Sequence, residues 1–159
     1  MKKHSPGKGC GVFKPKKLAH IVLRVRDLER SKAFYTEVLG LGQTGEIPGF
    51  MAFFSAGEDS HDLALMRLGP DAPGPDPQRV GLYHFAYAVE RPEDLERAYH
   101  HLREKGVPIV GGADHGVSMG IYFRDPDGNE IELTYDRPRE ESPKDGNPFG
   151  GTRPLEFVR

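Results

Sequence analysis

Three residues of this chain, His20, His84 and Glu132, have the types and placement that hold a divalent metal ion. His20 alternates with Ile21, Leu23 and Val25; His84 alternates with Tyr83, Phe85 and Tyr87; Glu132 alternates with Ile131 and Leu133. Strand side chains point to opposite faces in turn, so each of the three falls on the less apolar face of a segment whose other face is greasy. A lone strand histidine is ordinarily a hydrogen-bonded structural residue, and a Glu after a turn is ordinarily solvated. The matching placement of all three is what points to one shared centre. Two imidazoles and one carboxylate leave about three coordination positions open, the arrangement by which non-haem Fe(II) holds substrate and O₂ together. A structural zinc site would be closed and usually rich in cysteine, and the chain has one cysteine, Cys10.

The elements that must position these residues form a repeat. Leu18 to Leu41 and Gly81 to Val107 each contain a short alternating run with a His, then Asp-Leu-Glu-Arg, then a helical pattern ending at a Gly. In the first copy Asp27 is placed to cap the helix and Gly40 to end it. In the second, Pro92 suits the first helical turn, Leu95, Ala98, Tyr99 and Leu102 share one face, and Gly106 closes it. Strands are expected after each helix, at Phe50 to Phe54 and Asp62 to Leu68, then at Ser118 to Phe123 and Glu130 to Tyr135. The last two are joined by the turn Asp125-Pro126-Asp127-Gly128. The expected fold is α+β: two βαβββ modules forming a cupped, partly open mixed β-sheet with helices outside. If the modules pair with pseudo-symmetry, their inner faces converge and the three candidate ligands meet.

The expected boundaries are a basic arm over 1–17, one domain over 18–136 and a tail over 137–159. Within the domain, module one covers about 18–68, a Gly/Pro linker 69–77 and module two about 78–136. Phe149, Leu155, Phe157 and Val158 of the tail are candidates to dock back on the body.

A chain of 159 residues, 36% hydrophobic and 29% charged, suits a compact globular domain with a core of its own. The net charge of −2 gives no pull towards nucleic acid or anionic membrane. No apolar stretch approaches the length of a membrane span, and the Met1-Lys2-Lys3 start is followed by no apolar signal core. A lone cysteine suits a reducing compartment, so a cytoplasmic location is expected.

The repeat, the positions of His20, His84 and Glu132, and the stretch from Tyr122 to Leu133 (YFRDPDGNEIEL) resemble the vicinal oxygen chelate superfamily. That superfamily includes glyoxalase I, fosfomycin-resistance transferases, bleomycin-binding proteins and extradiol ring-cleaving dioxygenases. The likeness covers about Leu18 to Asp136. Three features resemble the type I extradiol branch. Asp114 to Ser118 (DHGVS) precedes Tyr122 much as a His-Gly-Val-Ser segment does there. Ser60 to Leu65 (SHDLAL) is similar to the segment carrying that branch's acid–base His, although Ser60 stands where a first His is usual. The Leu63 to Met66 segment lacks the carboxylate that glyoxalase I uses as a fourth ligand.

The resemblance implies Fe(II), with Mn(II) or another divalent metal as alternatives, held by His20, His84 and Glu132. It implies His61 as acid–base residue, His115 to hydrogen-bond the substrate oxygen or gate the pocket, and Tyr122 to hydrogen-bond the ionised substrate oxygen or take part in its proton transfer. The expected substrates are a small catechol-like aromatic and O₂, and the expected assembly is a homodimer. A non-oxidative transferase or lyase and a metal-free binding protein are the alternatives. His4, His100 and His101 are given no role.

Overall fold

The computed structural model describes residues 13–142 and 151–158. His4, Cys10 and Phe149 lie outside them. Module one runs β1 (Ile21–Val25), α1 (Leu28–Ala33), a π-helical turn (Phe34–Val38), β2 (Gly42–Ile47), β3 (Met51–Ser55) and β4 (Leu63–Arg67). Module two runs β5 (His84–Ala88), α2 (Pro92–Glu104), β6 (Ile109–Asp114), β7 (Ser118–Arg124) and β8 (Glu130–Asp136), and a short β9 (Arg153–Pro154) follows. The fold is therefore α+β with the βαβββ unit repeated.

Each module keeps its own sheet. One has the order β1-β4-β3-β2 and the other β5-β8-β7-β6-β9. In both, the first strand lies parallel to the last strand of its module and the remaining pairs are antiparallel. Among the described residues neither β1 nor β5 has a strand on its outer side. Exposed large apolar residues occur in β1 and just before β1 and β5 in the chain: Leu18, Val22, Val80, Leu82 and Tyr83.

Two strands of the expected βαβββ plan, β2 and β6, have no range that the sequence pattern marks. Their sequences, GQTGEI and IVGGAD, are rich in glycine and carry no clean alternation. They are strands because the backbone of β3 or β7 pairs with them, not through side-chain propensity. Tyr83, expected on a greasy strand face, precedes β5 and is 80% exposed.

The helices form where local chemistry allows. Asp27 caps α1 by accepting from the Arg30 amide at 3.1 Å. Pro92 opens α2, and Leu95, Tyr99 and Leu102 bury its inner face. One hydrophobic core spans both modules, from Leu23, Phe54 and Leu65 to Ile121, Phe123 and Ile131.

The DPDG turn is the polar tie across that core. Asp125 Oδ1 accepts from the amides of Asp127 and Asn129, which folds the turn. Its Oδ2 accepts the Tyr35 hydroxyl at 2.8 Å. Asp127 accepts from Arg26, Arg30 and Ser31 around α1. A second tie joins Tyr87 Oη to Asp62 Oδ1 at 2.7 Å. Burial, then the Asp125 charge, holds the Tyr35 phenol well above its usual pKa, so it donates throughout the neutral range. Tyr35→Phe removes this donor with little change in volume. The expected cost is about 1–2 kcal/mol, read as a lower urea midpoint with an unchanged slope. An unmoved midpoint would mean that the hydroxyl contributes nothing to the junction.

The C-terminal segment docks on module two. β9 pairs with β6 through Ala113↔Pro154 and Asp114↔Arg153. Leu155 is buried, and Phe157 meets Tyr99 with ring centroids 6.0 Å apart. Gly112 makes room for this: a Cβ there would lie 2.7 Å from Val158 Cγ2 and 3.1 Å from Leu155 Cδ1.

Candidate metal centre

The second module gathers four of the six candidate residues on one sheet face. Tyr122 on β7 stands opposite Glu132 on β8, and Ala86 of β5 stands opposite Glu132 on the other side. Strand alternation then puts His84, two residues before Ala86, on the same face. His84 Nε2 comes within 3.2 Å of Glu132 Oε2. The other oxygen, Oε1, accepts the Tyr122 hydroxyl at 3.0 Å. His115 Nε2 lies 3.1 Å from the same hydroxyl, and His115 Nδ1 lies 3.2 Å from Thr152 Oγ1.

These contacts have a direction. The Tyr122 proton goes to the carboxylate, so a neutral His115 must carry its own proton on Nε2 and donate it to the Tyr122 oxygen. Nδ1 is then the acceptor for the Thr152 hydroxyl. Thr152 thus completes the hydrogen bonding of His115 from the C-terminal segment, a contact that nothing in the sequence signalled. Burial, then the Glu132 charge, raises the Tyr122 pKa far above that of an ordinary phenol, so the group is a donor at neutral pH.

The face is kept open by what it lacks. Glu132 is buried, and its carboxylate fills the place a side chain would take at position 120. A Cβ on Gly120 would collide with Glu132 Oε1 and stand 3.1 Å from Cδ. The cavity above has a volume of about 630 Å³ and is lined by Tyr83, His84, His115, Tyr122, Glu130 and Glu132 among others. The loop carrying His115 is clamped by Arg137, whose guanidinium meets Asp114 at 2.6 and 2.8 Å and also donates to the Gly116 carbonyl. That guanidinium holds the Asp114 carboxyl below the usual carboxylate range.

The other two candidates lie together in module one. His20 is exposed and sits just before β1, not within it. Its ring centroid is 4.5 Å from that of His61, which also meets Phe53 edge-on at 5.3 Å. His61 Nδ1 is 3.2 Å from Ser60 Oγ. Among the described residues no three His, Cys, Asp or Glu side chains come close enough to hold one ion. The chain therefore carries two part-centres: His20 with His61, and His84 with Glu132, Tyr122 and His115. The donor set of the second suits a divalent metal. An imidazole nitrogen and a buried carboxylate face each other, and glycine clears the space beside them.

Residues 17–133 match the Glyoxalase/Bleomycin resistance protein/Dioxygenase superfamily. The chain belongs to that superfamily. Among its members, biphenyl-2,3-diol 1,2-dioxygenase 3 of Rhodococcus globerulus is 39% identical over 123 residues, which are 76% of this chain and 63% of that enzyme. This chain thus spans less than two thirds of that relative's length. Lactoylglutathione lyase of Escherichia coli O157:H7 is 32% identical over 127 residues, 74% of this chain and 90% of that enzyme. The crystal structure of a glyoxalase/dioxygenase from Nostoc punctiforme superposes with a TM-score of 0.66 at 30% identity, covering 80% of this chain and 98% of that one. Superfamily membership brings both oxidative and non-oxidative chemistry into range. β4 offers no carboxylate to the centre: Leu63, Ala64 and Leu65 fill its buried stretch. The neighbouring Asp62 is already engaged by Tyr87, Ser55 and the Ala56 amide. No helix among the described residues is long and apolar enough to cross a membrane.

Proposed function

We propose that this protein is a metal-dependent extradiol-type dioxygenase acting on a small catechol-like aromatic, with Fe(II) at His20, His84 and Glu132. The observation that carries the reading is the Tyr122 hydroxyl seated between His115 and Glu132. Two protonated donors stand in line beside a buried carboxylate, at the wall of a cavity of about 630 Å³ with more than enough room for an aromatic ring. A diol must shed a proton to chelate, and an ionised oxygen in that cavity would find donors ready-placed. The likeness to the Rhodococcus diol dioxygenase supports the same reading.

The bound ion would hold both diol oxygens and supply the redox centre at which O₂ reacts. The chain's own groups do the rest. Glu132 and His84 present their lone pairs to the ion. His115 and Tyr122 orient the substrate oxygen through hydrogen bonds. His61, whose ring lies 4.5 Å from that of His20, would hold a proton and pass it to the substrate.

In the proposed assembly a second copy would complete each site, and the division into two part-centres supports this. β1 and β5 are free sheet edges flanked by exposed apolar residues. An isologous dimer that sets β1 of one copy against β5 of the other would cover both edges. It would also bring the His20–His61 pair of one chain to the His84–Glu132 pair of its partner.

The test of the activity is anaerobic loading with Fe(II), then O₂ uptake over a panel of catechols and hydroquinones. Uptake with at least one diol is expected, and none with any diol would count against ring cleavage. A lyase or transferase reading draws on one fact: the chain matches 90% of the length of the E. coli lyase. A metal-dependent activity that persists without O₂ would select it.

A further inference from the structure

Glu130 is a half-buried carboxylate with no Lys or Arg partner among the described residues. Its side chain is 12% exposed, and its one recorded ionic neighbour among the described residues is His84, with Oε1 3.8 Å from Nδ1. His84 Nδ1 is in turn buried without a hydrogen-bond partner. An orphaned imidazole nitrogen and an unpaired carboxylate face each other across neighbouring strands, where register sets His84 directly opposite Glu130. Each is costly to leave alone.

Glu130 and Glu132 are two residues apart on β8, so both project from the same face as His84. The ring turns Nε2 to Glu132 and Nδ1 to Glu130. These two carboxylates have different surroundings. Glu132 is also bonded to Tyr122 and rests against Gly120. Glu130 stands one step further along the strand, opposite Arg124, which is exposed and makes no recorded ion pair with it.

We infer that Glu130 is a positioning residue: it accepts the Nδ1 proton of His84 and so leaves Nε2 free, with its lone pair aimed at the metal. That hydrogen bond requires the present 3.8 Å separation to close by about 0.9 Å. The carboxylate then fixes both the tautomer and the plane of the ring and makes Nε2 a stronger donor. Partners of this kind around a ligating histidine are worth about 10- to 100-fold in metal affinity. The inference rests on the metal-centre reading above and concerns only how one ligand is oriented.

The experiment uses the full chain loaded with Co(II), compared with Glu130→Gln and Glu130→Ala. Two quantities are measured: the Co(II) dissociation constant by chelator competition, and the hyperfine-shifted ring N–H proton of His84 by NMR. In the parent protein that N–H resonance is expected to be visible in water and slow to exchange. Glu130→Ala is expected to weaken Co(II) binding by about 10- to 100-fold and to bring the resonance into fast exchange. Glu130→Gln keeps an acceptor oxygen, so it should keep the resonance and lose only a few-fold in affinity. A merely structural role would weaken both variants alike without moving the N–H signal. If Glu130→Ala binds Co(II) as tightly as the parent with the resonance unchanged, the inference is overturned while the metal centre stands. If the parent itself takes up no Co(II), the metal reading fails instead.

Discussion

Gly120→Val is expected to leave the protein without its metal ion. Even a Cβ at this position takes the place of Glu132 Oε1 and stands 3.1 Å from Cδ. The backbone at Gly120 is not in the left-handed region, so valine acts through lost space and not through strain. Glu132 must swing aside, which breaks its bond from Tyr122 and its approach to His84 together. Bound Fe(II) after loading should fall below about a tenth of an equivalent, with O₂ uptake falling alongside. Glu132→Ala should give the same loss directly. Both variants should keep a parent-like circular dichroism spectrum, because the position faces the cavity and β7 retains its backbone pairing with β6 and β8. Full metal retention by Gly120→Val would show that Glu132 does not need its present seat, and would remove it from the ligand set.

Mixing two inactive variants is expected to restore activity. In His20→Ala the part-centre of module one is broken; in Glu132→Ala that of module two is broken. Across a dimer that shares its sites, a mixed pair holds one doubly damaged centre and one intact centre. Random pairing makes half of the dimers mixed, each with half its sites sound, so about a quarter of parent activity should return. Each variant alone should stay near the metal-free background. Chains would be refolded together or co-expressed under separate tags, so that exchange is assured. If each chain builds its own centre, mixing restores nothing however long exchange proceeds.

The repeat was legible because its signals are strong ones: period-two alternation around His20 and His84, an Asp cap, Pro at a helix start and a DPDG turn. What the sequence concealed has physical reasons. β2 and β6 owe their form to neighbours, and glycine-bearing segments advertise no face. The separation of His20 from His84 is a matter of how two sheets meet, which no local pattern encodes. Gly120 reads as a generic weak point in a strand until the Glu132 carboxylate is seen in its place. Glu130 was the nearest miss, since it shares the parity of Glu132 and that parity was already in use. Thr152 lay beyond the expected domain boundary, and only the β6–β9 pairing brings it to His115.

The placement of Phe53 in module one bears on how this protein can change over time. Phe53 packs against His61, and strand alternation sets it on the same face as Met51, its neighbour two residues back. These side chains are partly exposed and lie in a different sheet from Glu132, Tyr122 and Gly120. In a shared site they form one wall of the cavity, while the other module supplies the carboxylate and its donors. Mutations in the apolar wall can then alter which ring fits without disturbing the groups that hold the ion. On the proposed reading, substrate preference would be set on one sheet and the metal held on the other.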